Sequence, residues 1–145
     1  MSHLASRTAV ITGASRGIGA ATARHFAAEG ANVVLAARSA IEIEAIADEI
    51  RAGGGVAAAI ACDVSRYEDV EAAMALADTA FGGVDYLINN AGVIDPISHL
   101  DTSDPEGWAQ CIDINVKGVY DGLRAALPRI RPRAPAVMPL RIVRV

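Results

Sequence analysis

The run Thr12-Gly13-Ala14-Ser15-Arg16-Gly17-Ile18-Gly19 gathers three glycines, a hydroxyl and a guanidinium into one short stretch. Before it, Thr8-Ala9-Val10-Ile11 reads as a strand, and after it Ala20, Ala23, Phe26 and Ala27 continue a helical pattern. A glycine-rich turn between a strand and a helix suits a dinucleotide pyrophosphate. Its first glycine turns the chain, its second lets the backbone approach the phosphates, and its third lets the helix pack close to the sheet. The free N–H groups of the first helical turn then face the anion. Here those glycines are Gly13, Gly17 and Gly19, with Ser15 able to donate to phosphate, Arg16 adding positive charge and Ile18 lying in the same turn. The competing reading is that the glycines serve only backbone conformations with φ > 0.

The spacing is Gly-x-x-x-Gly-x-Gly, and further on stand Cys62-Asp63-Val64, Asn89-Asn90-Ala91-Gly92 and Asp113-Ile114-Asn115-Val116-Lys117-Gly118. In that order and at those separations, the segments resemble the short-chain dehydrogenase/reductase family over roughly residues 6 to 130. The resemblance implies that Asp63 meets the adenine amino group beside the Val64 backbone. It also implies that Asn90, Ala91 and Gly92 line the cofactor while Asn89 braces the central strands. Asn115, in the Asn-Val-x-Gly context, would interrupt its helix and hold a water for a proton relay. Plainer readings make Asp63 a helix-initiating acid, the Asn-Asn-Ala-Gly run a turn, and Asn115 a tolerated polar residue beside a close-packing point at Gly118. At the end of the second strand, a carboxylate bonds a ribose 2′-OH, whereas arginine accepts a 2′-phosphate. Ala36-Ala37-Arg38 carries no acid, so Arg16 and Arg38 together point to NADP(H) over NAD(H), unless Arg38 is simply a solvated loop residue.

Acid–base machinery is missing. In the family a tyrosine delivers the proton, a lysine four residues later lowers its pKa, and a serine orients the substrate oxygen. A tyrosine near pKa 10 needs such a neighbouring cation to act at neutral pH. The residues four after Tyr67, Tyr86 and Tyr120 are Glu71, Asn90 and Arg124; Lys117 is the sole lysine, and no serine follows Ser103. Tyr120 with Arg124 imitates the pair, but arginine stays charged and cannot relay a proton. Asn115 is therefore the one catalytic position of the family found in this chain.

These groups need elements to hold them. Periodicity places strands at Arg7–Thr12, Asn32–Ala37, Val56–Ala61 and Val84–Asn89. Between them run helices Gly17–Glu29 and Ile41–Arg51, and a third opening on a Ser65-x-x-Glu68 capping box and ending near Phe81. Ser103-Asp104-Pro105-Glu106 opens a longer helix, with Pro105 in its first turn, running to about Leu127 and carrying Ile112, Val116, Val119 and Leu123 on one stripe. Strands alternating with helices imply an α/β, doubly wound parallel sheet of Rossmann type, in the order 3-2-1-4 with a fifth strand able to join beside the fourth.

The chain has 145 residues, of which 52% are apolar and only 4% aromatic, so an Ala, Val, Ile and Leu core is expected. Cys62 and Cys111 read as buried, unpaired thiols of a reducing cytoplasm, with no metal-ligand spacing. The N-terminus lacks a secretion signal and no apolar run suits a membrane span, so a soluble, cytoplasmic protein is expected. All 17 acids and 7 of the bases lie in residues 1–121, giving −10, while 122–145 hold 6 arginines and no acid. That basic, proline-rich tail is read as a change in the kind of sequence rather than a nucleic-acid site. The expected organisation is a dinucleotide-binding domain over 1–130 and an atypical tail over 131–145, with a remnant strand at 140–145. The chain reads as truncated, or changed in frame, near residue 130 and the fold as incomplete on that side. The expected function is the NADP(H)-binding portion of a carbonyl/alcohol oxidoreductase, inactive as it stands and prone to self-associate. Alternatives are a regulatory nucleotide-binding module and a fragment without function. The substrate lies beyond the sequence.

Overall fold

The computed structural model describes residues 2–130 and the backbone of 141–144. Residues 131–140 of the expected arginine- and proline-rich tail lie outside the described residues. Five parallel strands form one sheet in the order β3-β2-β1-β4-β5: β1 (Thr8–Thr12), β2 (Asn32–Ala37), β3 (Val56–Ala61), β4 (Tyr86–Asn89) and β5 (Arg141–Arg144). The doubly wound order is the expected one. β5 pairs with β4 from Tyr86 opposite Arg141 to Asn89 opposite Arg144, so the edge of β4 is covered.

Sequence alternation decides which side chains face which layer. Ala9, Ile11, Val33, Leu35 and Ile88 pack beneath α1 (Gly17–Ala28) and α2 (Ala40–Ala52), whose contributions include Ala20, Ala23, Ile43, Ile46 and Ile50. Val10, Val34, Ala36 and Leu87 face the opposite layer, built from α3 (Tyr67–Phe81) and the helices that follow β4. Both faces of β1 and β2 are buried, as a parallel sheet with helices on each side requires. The small residues Ala20, Ala23 and Ala27 let α1 sit close on that surface.

Several local expectations change. Ser65 does not cap α3: its Oγ donates to Asp63 Oδ1 at 2.7 Å and its N–H to the same oxygen at 3.0 Å, so the preceding acid claims it. The helix opens at Tyr67, with Arg66 at the cap position making no side-chain bond. Ser103 likewise donates to Leu100 O, and Asp104 is the cap, accepting from the N–H groups of Glu106 and Gly107. Pro105 does stand at the start of that helix, α4 (Pro105–Ile112).

The long helix expected to about Leu127 is interrupted. A π-helical turn at Asp113–Lys117 separates α4 from α5 (Gly118–Ala126). Its buried face is Ile114, Gly118, Asp121, Gly122, Ala125 and Ala126, whereas Ile112 and Val116 of the expected stripe are exposed. The strand expected from Val84 starts at Tyr86, and Val84 makes only an isolated bridge to Ile130. No helix among the described residues is long and apolar enough to cross a membrane.

Candidate functional site

A cleft of 570 Å³ opens at the carboxyl ends of β1, β2, β3 and β4, where parallel sheets of this kind place ligands. Gly13, Ser15 and Arg16 line it from the turn after β1, Arg38 from the end of β2, Asp63 and Val64 from the end of β3, and Asn90, Ala91 and Gly92 from the end of β4. Gly17, Ile18 and Gly19 are not in its wall, and the Ile18 side chain is exposed. Residues that sequence reasoning did not single out also line it: Ala37, Ser39, Glu42, Cys62, Val93 and Ile114. Ser39 and Glu42 follow Arg38 closely in sequence, and only the placement of α2 against the cleft reveals them.

The three glycines of the turn differ physically. Gly13 has φ +64, and a Cβ there would meet Ala91 Cα at 2.8 Å. At Gly19 a Cβ would lie 2.3 Å from Gly13 O and 2.5 Å from Asn90 Nδ2, so this glycine permits close packing of the helix on the turn. At Gly17, φ is +55 and a Cβ would meet no atom of the protein within 4 Å. The second glycine therefore faces open space. Arg16 precedes α1 without a side-chain bond to its first turn, unlike Ser39 and Asp104 at their helices.

The two asparagines after β4 divide their work differently from the expectation. Asn90, not Asn89, braces the strands: its Nδ2 donates to Thr12 O at 3.0 Å and Gly13 O at 3.1 Å, and its N–H to Thr12 Oγ1. Asn89 turns to the other face, where its Oδ1 would lie 2.5 Å from a Cβ at Gly122, and its buried Nδ2 has no hydrogen-bond partner. Side chains of consecutive strand residues point to opposite faces, which separates the pair.

Asn115 sits within the π turn. Its Oδ1 accepts from Val93 N–H at 2.9 Å, and its Nδ2 donates to Val93 O at 2.6 Å and to Cys111 Sγ at 3.2 Å. Both ends of the carboxamide are thus committed to the backbone just beyond Gly92. The neighbouring Gly118 is a close-packing point, since a Cβ there would lie 3.0 Å from Val64 Cγ2.

Electrostatics separate the acids from the thiol. The Ser65 hydroxyl, more than any other neighbour, holds the Asp63 carboxyl below its ordinary value, and Arg38 acts in the same direction. Asp63 is therefore an anionic acceptor at neutral pH. Burial, aided by the nearby Asp69 and Asp63, pushes the Cys62 thiol up to about 12, which leaves it protonated and inert. Both cysteines are free, and Cys111 is only half-buried rather than buried. Tyr120 is exposed, and the Arg124 guanidinium stacks 4.9 Å from the ring centroid of Tyr67.

The chain matches the short chain dehydrogenase family over residues 7–137. It is 44% identical over 133 residues to 3beta-hydroxysteroid dehydrogenase 1 of Eggerthella lenta, covering 90% of this chain and 50% of that protein. A metagenomic short-chain oxidoreductase solved in complex with NADP superposes with a TM-score of 0.82 at 44% identity, covering 87% of this chain and 57% of the other. A 3-ketoacyl-(acyl-carrier-protein) reductase from Brucella melitensis, solved with NADH, gives 0.81 at 39% identity, with 87% and 51% covered. The chain spans about half the length of the curated relatives it matches. With the glycine turn, the Asn-Ala-Gly wall and the interrupted helix all in register, this chain belongs to the short-chain dehydrogenase family.

Proposed function

We propose that the cleft is a nicotinamide dinucleotide site that prefers NADP(H) to NAD(H), forming the cofactor-binding portion of a carbonyl/alcohol oxidoreductase. The observation that carries this reading is the open space over Gly17, flanked by Arg16 and Arg38 in one cleft. A pyrophosphate fits where no protein atom stands, against the uncapped first turn of α1 and the Ser15 hydroxyl. Arg16 and Arg38 meet a 2′-phosphate, and Asp63, ionised at neutral pH, accepts from the adenine amino group beside the Val64 backbone. Asn90, Ala91 and Gly92 form the opposite wall, and Asn115 fixes it through Val93. When bound, the nicotinamide supplies a hydride acceptor or donor. Since Asn115 has spent its carboxamide on Val93, its part in a proton relay falls to its backbone carbonyl in the π turn.

A second reading, a nucleotide-binding module without chemistry, is favoured by one observation: no Tyr-x-x-x-Lys occurs in this chain and no serine follows Ser103. Calorimetric titration with NADPH tests the site, with saturable binding of one equivalent expected and no heat of binding overturning it. Reduction of a ketone panel then separates the two readings. Loss of a general acid alone costs about 10²–10⁴ in rate, so turnover at background is expected, and turnover abolished by Tyr120→Phe would restore catalysis to this chain. The exposed apolar stripe on α4 and α5 supports self-association.

A further inference from the structure

We propose that Lys117 is a positioning residue for the adenine end of the cleft, a role that rests on the dinucleotide reading above. The chain's sole lysine ends the π turn, and its Nζ donates to Ser65 O at 3.0 Å and to Asp121. Asp121 is 2% exposed, while the Lys117 side chain is 44% exposed. A carboxylate that deep is costly unless it is paired, so Asp121 holds the ammonium in one place from the next turn of the helix. The held ammonium in turn ties down a loop 52 positions earlier in the chain.

That loop is the Asp63-Val64-Ser65 wall. Ser65, gripped at its carbonyl by Lys117, uses its own N–H and hydroxyl to orient the Asp63 carboxylate, which faces the cleft. Gly118 presses on Val64 from the adjacent position of the helix, with a would-be Cβ only 3.2 Å from Val64 O. Two residues before Lys117, Asn115 holds Val93 of the opposite wall, and Ile114 lines the cleft between them. One interrupted turn therefore touches both walls and sets their separation, with Lys117 serving the adenine side.

The test compares two half-ligands on the full chain: adenosine 2′,5′-bisphosphate for the adenine end and reduced nicotinamide mononucleotide for the other. Lys117→Met should weaken the adenosine bisphosphate about fivefold, the worth of one hydrogen bond, and leave the mononucleotide unchanged. Lys117→Arg, which keeps a donor, should recover most of that loss. Because Lys117→Met strands a buried carboxylate, the double variant Lys117→Met/Asp121→Leu carries the same comparison in a protein without that charge. Equal weakening of both half-ligands, or none in the folded double variant, overturns the role of Lys117 alone. A parent chain that binds neither half-ligand overturns the dinucleotide reading and this inference with it.

Discussion

Gly19→Ala should destabilise the free protein, although it replaces glycine by the best helix former in the first turn of a helix. The added methyl would sit 2.3 Å from Gly13 O, a backbone atom, and 2.5 Å from Asn90 Nδ2. That amide cannot swing away freely, because it bonds Thr12 O and Gly13 O. Overpacking typically costs about 1–3 kcal/mol. Disturbing the two Asn90 bonds adds about 1 kcal/mol each, and the gain in helix propensity returns at most about 1 kcal/mol. The net loss is about 2–3 kcal/mol, which lowers the unfolding midpoint by about 5–10 °C. Gly17→Val is the control, since its side chain meets no protein atom and pays only the strain of φ +55, about 1–2 kcal/mol. It should keep its helix content yet lose NADPH binding. Thermal unfolding followed by circular dichroism, with and without NADPH, reads both effects. A Gly19→Ala variant as stable as the parent would refute the packing argument, and a Gly17→Val variant that still binds would assign that glycine to the turn alone.

Two further outcomes are expected. Asp63 has a depressed pKa in the folded chain, so its contribution is complete above the unfolded value near 3.8 and is lost only as pH falls through the lower, folded value. NAD affinity should therefore stay flat from pH 8 to 5, and Ser65→Ala should move the acid limb upward; an unmoved limb refutes the Ser65 assignment. Trp108, Ile112, Val116 and Tyr120 recur every fourth residue and are all exposed, at 56%, 37%, 56% and 60%, so sedimentation should show concentration-dependent association that Val116→Glu reduces. A monomer at all concentrations, unchanged by that substitution, removes the surface from the account.

The fold was legible because strand and helix periods alternate cleanly through Phe81 and because β1 and α1 bracket an unmistakable glycine turn. The cleft walls followed, since each lining segment ends a strand. What escaped the sequence were choices between neighbours. Ser65 and Ser103 both have the spacing of a cap, but each donates its hydroxyl elsewhere, Ser65 to the Asp63 carboxylate and Ser103 to a backbone carbonyl. Asn89 and Asn90 are alike in type, and only the alternation at the end of β4 decides which reaches β1. The Ile112–Leu123 stripe has helical spacing, yet the π turn and the small residues Gly118, Gly122, Ala125 and Ala126 put the opposite face against the sheet. Glu42 and Ser39 became visible only once α2 was placed beside the cleft.

The central claim, a dinucleotide cleft tuned by Arg16 and Arg38, is tested most directly by the ratio of NADH to NADPH dissociation constants on the same preparation. Charge-assisted hydrogen bonds contribute about 1.5–3 kcal/mol each, so one surviving contact to the 2′-phosphate gives a preference of about 10- to 150-fold. The account predicts tighter NADPH binding by at least that lower bound, with the preference lost or reversed in Arg38→Asp. Equal affinities in the parent chain, or an unchanged ratio in Arg38→Asp, would contradict it.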